Sequence, residues 1–464
     1  MENQIFKLNS IKNCKHIHLV GIGGVSMSGI AEILNNTGFT VTGYDAVSSA
    51  TTERLISHGI KVATSHDLSD LNTADLVIYT AAIAKDDPEL IEAHNMEIPT
   101  VERADFLGYL TRTYENTIAI SGTHGKTTTT SMISVCFLEA GLDPTIQVGA
   151  DLKEINGNYR IGKDSTFIIE ACEYVESFLK FSPKTEVVLN IDNDHLDYFK
   201  TFENIKNAFV KYVKLLPDNG LLVVNGDDKN CLDLLEHTNA KVLTYGITNK
   251  NTDYFATNIV FDSDGFAEFD VYAKDKFYER IKLSVPGMHN VLNALATIAV
   301  CNDYGVSSSS IKSALLKFTG ANRRFEFKGK YNTVSVYDDY GHHPTEIVAT
   351  AKALMNKKYN KSWVIFQPHT YSRTVELLDD FARALLNFDN IIITDIYAAR
   401  EKNTYGISSL DLVNKINEFA DSKAIYIKEF DEIASFIKNN VQPNDIVLTL
   451  GAGTVTKIGG MIVD

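Results

Sequence analysis

Short apolar runs recur along this chain, and most are followed by residues with helical spacing. HIHLV (16–20), FTVTGYD (39–45) and DLVIYT (75–80) alternate with SMSGIAEILNNTG (26–38) and DPELIEAHN (87–95). Apolar runs of about four to eight residues, separated by helical patterns of about 10–15, predict βαβ units around a parallel sheet. In such sheets ligands gather at the carboxyl ends of the strands. The chemistry is therefore sought in the turns after the apolar runs.

Three segments of this kind follow one another. The first ends near residue 111. The second opens with NTIAI (116–120) and a helix through TTTTSMISVCFLEAG, and continues with STFIIEA and TEVVLNIDNDH. From about 221 to 285 the pattern changes to strands that read as hairpins, before PGMHNVLNALATIAVCNDYG returns to helix. The third segment starts near GANRRFEF and reverts to α/β through TVSVYDDYGHHP, SWVIFQPH, NIIITDIY and DIVLTLGAG. The expected domains are 1–111, 112–321 and 322–464, within what 464 residues allow.

Composition removes several function classes. A net charge of −15 argues against a general nucleic-acid surface. No stretch approaches the roughly 20 apolar residues of a membrane span, and the amino terminus has no apolar signal core. The five cysteines are scattered, with no CxxC, which suits reduced thiols in the cytoplasm. Cys172 reads as a small buried residue. An acidic chain that binds polyphosphate needs local positive devices, such as a lysine, helix N-termini or a metal ion.

ISGTHGKTTTT (120–130) supplies such a device. The common phosphate loop places a glycine five residues before Gly125, where this chain has Ile120. The first glycine is Gly122, giving a shorter G-x-x-G-K-T-T. Backbone N–H groups of Gly122, Thr123, His124 and Gly125 are candidates for phosphate contact. Lys126 suits the β- and γ-phosphates, and Thr127 or Thr128 a Mg²⁺ ion. The alternative is a glycine turn with a capping threonine run; the strand before it and the G-K-T-T after it favour phosphate.

GIGGVSMSG (21–29) follows the first strand, with Ser26 where G-x-G-x-x-G has its third glycine. Gly21, Gly23 and Gly24 make it a second phosphate candidate, and Asp45 ends the next strand, as a ribose-binding acid would. Glu170 and Glu173 follow one strand, and Asp192, Asp194, His195 and Asp197 another. These are either helix caps or a metal site beside the loop, with Mg²⁺ expected from its preference for oxygen. Arg324 and Asp339 either form a bridge that positions the third domain or meet the nucleotide. His369 and Arg373, at another strand end, suit a carboxylate.

GTHGKTTTT, GMHNVLNALA, RRFEF and DDYGHHPTEI, in this order, resemble the Mur ligases, the ATP-dependent amide-bond ligases of bacterial cell-wall synthesis. The resemblance runs over essentially the whole chain. It implies an N-terminal Rossmann-like domain, a central P-loop ATPase-like α/β domain with added β-hairpins, and a C-terminal Rossmann-like α/β domain. It further implies ATP and Mg²⁺ as cofactors, with Lys126 and Thr127 on phosphate and metal, and Glu173 and His195 as metal ligands. Asn290, Asn293, Arg324 and Asp339 match the family's nucleotide contacts, and the glycines of GIGGVSMSG would face a UDP pyrophosphate. His124, DDYGHHPTEI and FQPHTYSRT point to the branch that joins L-alanine to the lactyl carboxylate of UDP-N-acetylmuramate. On that reading Tyr340, His342, His343, His369 and Arg373 serve the amino acid. Ser26 and Arg400 depart from the usual glycines, and Lys206 or Lys211 is a candidate for carbamylation. A branch that recycles a murein tripeptide usually has F-A-H-H-P where Tyr340 and Gly341 stand here. A nicotinamide-dependent dehydrogenase would leave the G-K-T-T loop and both acid clusters idle. A catalytically dead nucleotide sensor would have lost the acids.

Overall fold

The computed structural model describes residues 11–463 except 82, 85 and 400, and of Lys12 and Asp197 only the backbone. Arg400 thus lies outside the described residues. Three sheets succeed one another along the chain. The first has five parallel strands, in spatial order Lys61–Ala63, Thr40–Tyr44, His16–Val20, Leu76–Tyr79 and Thr100–Glu102. HIHLV, its central strand, is buried at all five positions, as a parallel strand covered on both faces must be. The helix Val25–Asn36 starts at the carboxyl end of that strand.

The central sheet has ten strands. Asn116–Ser121 lies between Thr166–Glu170 and Thr185–Val188, parallel to both. The turns after these three strands, each carrying candidate residues, therefore share one sheet edge. The hairpins expected from about 221 are a partial miss. Leu221–Asn225 and Lys241–Gly246 are parallel strands that extend the main sheet. LLVVN is a continuous apolar run, buried at every position, which a half-exposed hairpin strand would not be. Only Tyr254–Phe261, Phe266–Ala273 and Lys276–Pro286 form an antiparallel meander. At the other edge Thr145–Leu152 pairs with Gly157–Arg160 in a further hairpin.

The third sheet has six strands, in the order Glu326–Tyr331, Val334–Asp339, Ile446–Leu450, Ser362–Phe366, Asn390–Ile393 and Ala424–Tyr426, with only the first pair antiparallel. One hydrophobic cluster runs from Ile17 and Leu19 in the first sheet through Tyr159 to Phe167 in the central one and to Phe209 and Tyr212 on the helix Phe202–Val213. The buried clusters of the third sheet are separate from it. The first two units are joined by apolar burial, and the third meets them through polar groups. Cys172 corrects a further expectation: it is exposed, at the turn beyond the edge of the sheet.

Candidate functional site

The loop between Asn116–Ser121 and the helix Lys126–Glu139 turns on Gly122 (φ 133°) and Gly125 (φ 87°). A Cβ on Gly125 would lie 2.8 Å from Asn293 Oδ1, so glycine is required by shape as well as by backbone angle. Lys126 Nζ donates to the carbonyls of Gly122 and Thr123 and to Glu173 Oε2, the last at 2.9 Å. Its ammonium is buried, which disfavours the charge, but the Glu173 carboxylate more than compensates and raises the pKa.

Glu173 is only 2% exposed. Its Oε1 lies 3.8 Å from His195 Nε2, so Lys126, Glu173 and His195 converge on one point. Both supporting turns are bent in unusual ways. Val175, Glu176 and His195 all have positive φ, and a β-branched residue at φ 49° is a true outlier. Thr127, expected beside Glu173, donates its hydroxyl hydrogen bond to Glu170 instead, at 3.2 Å. Burial raises the pKa of Glu170 although the Gly149 N–H donates to it. The half-buried Glu170 holds the Thr127 hydroxyl, while the buried Glu173 faces Lys126 and His195.

A cleft of about 430 Å³ opens beside the loop, lined by His124, Gly125 and Thr128 on one side. Asn290, Asn293, Arg324 and Asp339 line the same cleft. Asn290 and Asn293 are bonded to each other at 3.0 Å and are presented together by the helix Met288–Asp303. Arg324 crosses from the third domain, with Nη2 at 3.5 Å from Thr127 Oγ1. Asp339 accepts from the Phe325 and Gly341 amides, both at 2.8 Å, and so pins the turn that carries Arg324. Burial raises its pKa to about 6. His289, exposed in the first turn of the helix Met288–Asp303, also lines this cleft. Nothing in GMHNVLNALA distinguishes His289 from any other surface residue in the first helical turn.

A second cleft, of about 380 Å³, lies on the other side of His195, between that residue and Arg373. Arg373 donates to Asp194 at 3.1 Å and lies 3.4 Å from His369 Nδ1. The helix Tyr371–Glu376 that carries it is held at its start by Glu401, which accepts from the Ser372 amide and hydroxyl. His342 packs edge-on to His369. Burial lowers the pKa of His342 to about 4 and that of His369 to about 3, so both rings are neutral at pH 7. Tyr340 packs edge-on to His342, its ring under the guanidinium groups of Arg323 and Arg324 at 4.9 and 5.1 Å. Lys206 and Lys211 are paired with Asp233 and Glu176.

In the first domain Gly21 has φ 80°, and the Gly23 amide donates to Asp45 at 2.9 Å. Gly24 caps the helix Val25–Asn36, leaving its N-terminus open to an anion. Ser26, at the position of the missing glycine, accepts from Gln147 of the central domain (2.6 Å) and from Arg103 (3.3 Å). The loop therefore faces the join between the two units.

His124 has a partner that sequence reasoning missed. Its ring lies between Asp192 Oδ2 (3.2 Å) and Glu346 Oε1 (3.3 Å), the latter in the third domain. Burial disfavours the imidazolium, but the two carboxylates outweigh that and raise its pKa to about 9. Asp192 is correspondingly held well below the usual carboxylate range, chiefly by its hydrogen bond with His124. His343 stands close enough to complete a three-ligand cluster with His124 and Asp192. However, its Nδ1 accepts from the Thr345 amide and its Nε2 donates to Asn193 O, so its lone pair is already used. The capping position of His343 and the glutamate three residues on were the available signal for Glu346.

Three family models cover most of the chain: the Mur ligase family catalytic domain over residues 16–115, the Mur ligase middle domain over 120–301, and the Mur ligase glutamate ligase domain over 323–453. A UDP-N-acetylmuramate–L-alanine ligase of Acetivibrio thermocellus is 51% identical over 447 residues, covering 96% of this chain and 95% of that protein. A ligase of the same name from Clostridium botulinum is 48% identical, covering 97% and 98%. Among solved structures, UDP-N-acetylmuramate-alanine ligase from Thermotoga maritima superposes with a TM-score of 0.82 at 29% identity, over 97% of this chain and 98% of that one. A murein peptide ligase from Psychrobacter arcticus shares the fold, with a TM-score of 0.73 at 24% identity and the same coverage.

Proposed function

The chain belongs to the Mur ligase family, and from that premise we propose that it joins L-alanine to the lactyl carboxylate of UDP-N-acetylmuramate at the expense of ATP. The observation that carries the reading is the convergence of Lys126, Glu173 and His195 between a nucleotide-sized cleft and a cleft lined by Arg373. The name shared by relatives 48–51% identical over nearly the whole chain supports alanine over a peptide.

The reaction balances in two steps. A lactyl carboxylate oxygen attacks the γ-phosphorus, and ADP leaves. The α-amino nitrogen of alanine then attacks the acyl carbon, and phosphate leaves with the former carboxylate oxygen; the amine proton goes to solvent. Phosphoryl transfer of this kind depends on positioning and charge neutralisation. Lys126, at the base of the loop, serves the phosphates, with Arg324 arriving from the opposite domain. Glu173, His195 and Thr127 would hold Mg²⁺, which when bound neutralises charge on the phosphates. Arg373 would bind the carboxylate of alanine. His342 and His369, neutral at pH 7, are weak bases but good acceptors, so we assign them to orienting the amine, with His343 and Tyr340 as their supports. Gly21, Gly23, Gly24, Ser26 and Asp45 take the UDP end, and domain boundaries at 111 and 321 divide the three ligands. No helix among the described residues is long and apolar enough to cross a membrane, which suits soluble substrates in the cytoplasm.

Phosphate release with each substrate omitted in turn tests the proposal. Release that requires ATP, Mg²⁺, UDP-N-acetylmuramate and L-alanine together supports it. Release with a murein tripeptide and none with alanine would transfer the chain to the recycling reaction.

A further inference from the structure

We infer that His124 is a positioning residue that latches the third domain onto the phosphate loop, so that the nucleotide and amino-acid clefts are assembled in one closed arrangement. The inference rests on the ligase reading above. Among the described residues the third domain shares no buried hydrophobic cluster with the other two, so side-chain polar contacts do much to hold it in place. Thr345 donates to Asp192 at 2.8 Å, His343 to Asn193 O at 3.1 Å, and Arg373 to Asp194 at 3.1 Å. His124 differs from these in standing on the phosphate loop itself. Its amide donates to Asn190 Oδ1 and its carbonyl accepts from Asn190 Nδ2, which fixes the ring relative to the loop.

From His124 the contacts run onward without a gap. Glu346, which accepts from His124, also accepts the His342 amide at 2.9 Å. His342 packs on His369, and His369 meets Arg373. Loop and amino-acid cleft are thus linked through five residues, His124, Glu346, His342, His369 and Arg373, each in contact with the next. Both ring nitrogens of His124 are committed to carboxylates, and the Thr123 and His124 amides, expected on phosphate, are spent on Asn190, which leaves phosphate binding to the remaining loop amides and Lys126. An interdomain contact centred on a charged pair is stronger than a neutral one and is lost as a unit when either partner is removed.

The test uses full-length His124→Ala, Glu346→Gln and the double variant. Nucleotide affinity is measured directly, kcat and KM are measured for L-alanine, and the radius of gyration is measured in solution with a non-hydrolysable ATP analogue and Mg²⁺. The latch predicts kcat/KM for alanine lower by about 10- to 100-fold in each single variant, the usual cost of one charged hydrogen bond, with nucleotide affinity weakened in parallel because both residues border the cleft that the third domain helps to close. It also predicts no further loss in the double variant and a larger radius of gyration in all three. A loss confined to nucleotide affinity would overturn it, as would losses that add in the double variant. If the parent enzyme fails to use alanine, the ligase reading falls, and the radius of gyration still decides the latch: no expansion in the variants rejects it.

Discussion

Glu186 is fully buried on the strand Thr185–Val188, and neither carboxylate oxygen has a hydrogen-bond partner in the structure. Burial drives its pKa well above the ordinary value, so the folded protein holds it protonated. The unfolded chain ionises the same group from about pH 4.3, and stability drains away as pH rises past that point. Glu186→Leu should therefore raise stability by about 1–3 kcal/mol at pH 7, with a smaller gain at pH 4, as read by urea unfolding. A loss at pH 7 would show that this carboxyl has a structural role. Arg373 makes the complementary case at the proposed site. Arg373→Ala should raise the KM for alanine about 10- to 100-fold while the KM for ATP stays near that of the parent; an unchanged alanine KM would remove Arg373 from substrate binding.

At the scale of elements, the strand–loop–helix around Lys126 was legible because all its chemistry lies within eleven consecutive residues. Gly125 is its tightest point. Gly125→Ala puts a Cβ into a left-handed backbone and against Asn293, so it should cost about 1–2 kcal/mol and raise the KM for ATP by at least about tenfold. Equal nucleotide affinity in that variant would mean the loop does not carry the phosphates. The strands of 221–246 were misread as hairpins because a continuous apolar run fixes burial, not the direction of the neighbouring strand. Glu346 and Glu401 were passed over for a related reason. Each matters through a partner 29 or more residues away; the capping pattern at His343 marked Glu346 as a helix-start residue but not as the partner of His124.

Across the whole molecule, three α/β units with motifs at their strand ends could be read from alternation alone, whereas the way the units meet could not. Residues such as Ser26, Gln147, His124 and Thr345 become interface groups only once the sheets are placed. The same arrangement shapes the pH dependence of stability. His342 and His369 are held neutral with pKa values of about 4 and 3, so the unfolded chain gains protons first as pH falls below about 6.5, and stability is lost on the acid side. His124, held near 9, acts in the opposite sense: its contribution is complete below about 6.5 and is lost as pH rises through 9. Thermal unfolding across pH 5–10 should show a maximum near neutrality, and His124→Gln should flatten only the alkaline limb. An unchanged alkaline limb would mean that His124 is not held as an imidazolium.

The central claim is that ATP activates a carboxylate as an acyl phosphate before an amine attacks it. It is tested most directly by following oxygen. UDP-N-acetylmuramate labelled with ¹⁸O in its lactyl carboxylate is incubated with ATP, Mg²⁺, L-alanine and the enzyme, and the released phosphate is examined by mass spectrometry. One labelled oxygen in each phosphate, with the other retained in the amide, is the predicted result. Phosphate that carries no label would mean that water, not the carboxylate, takes the γ-phosphoryl group, and the ligase mechanism would be contradicted.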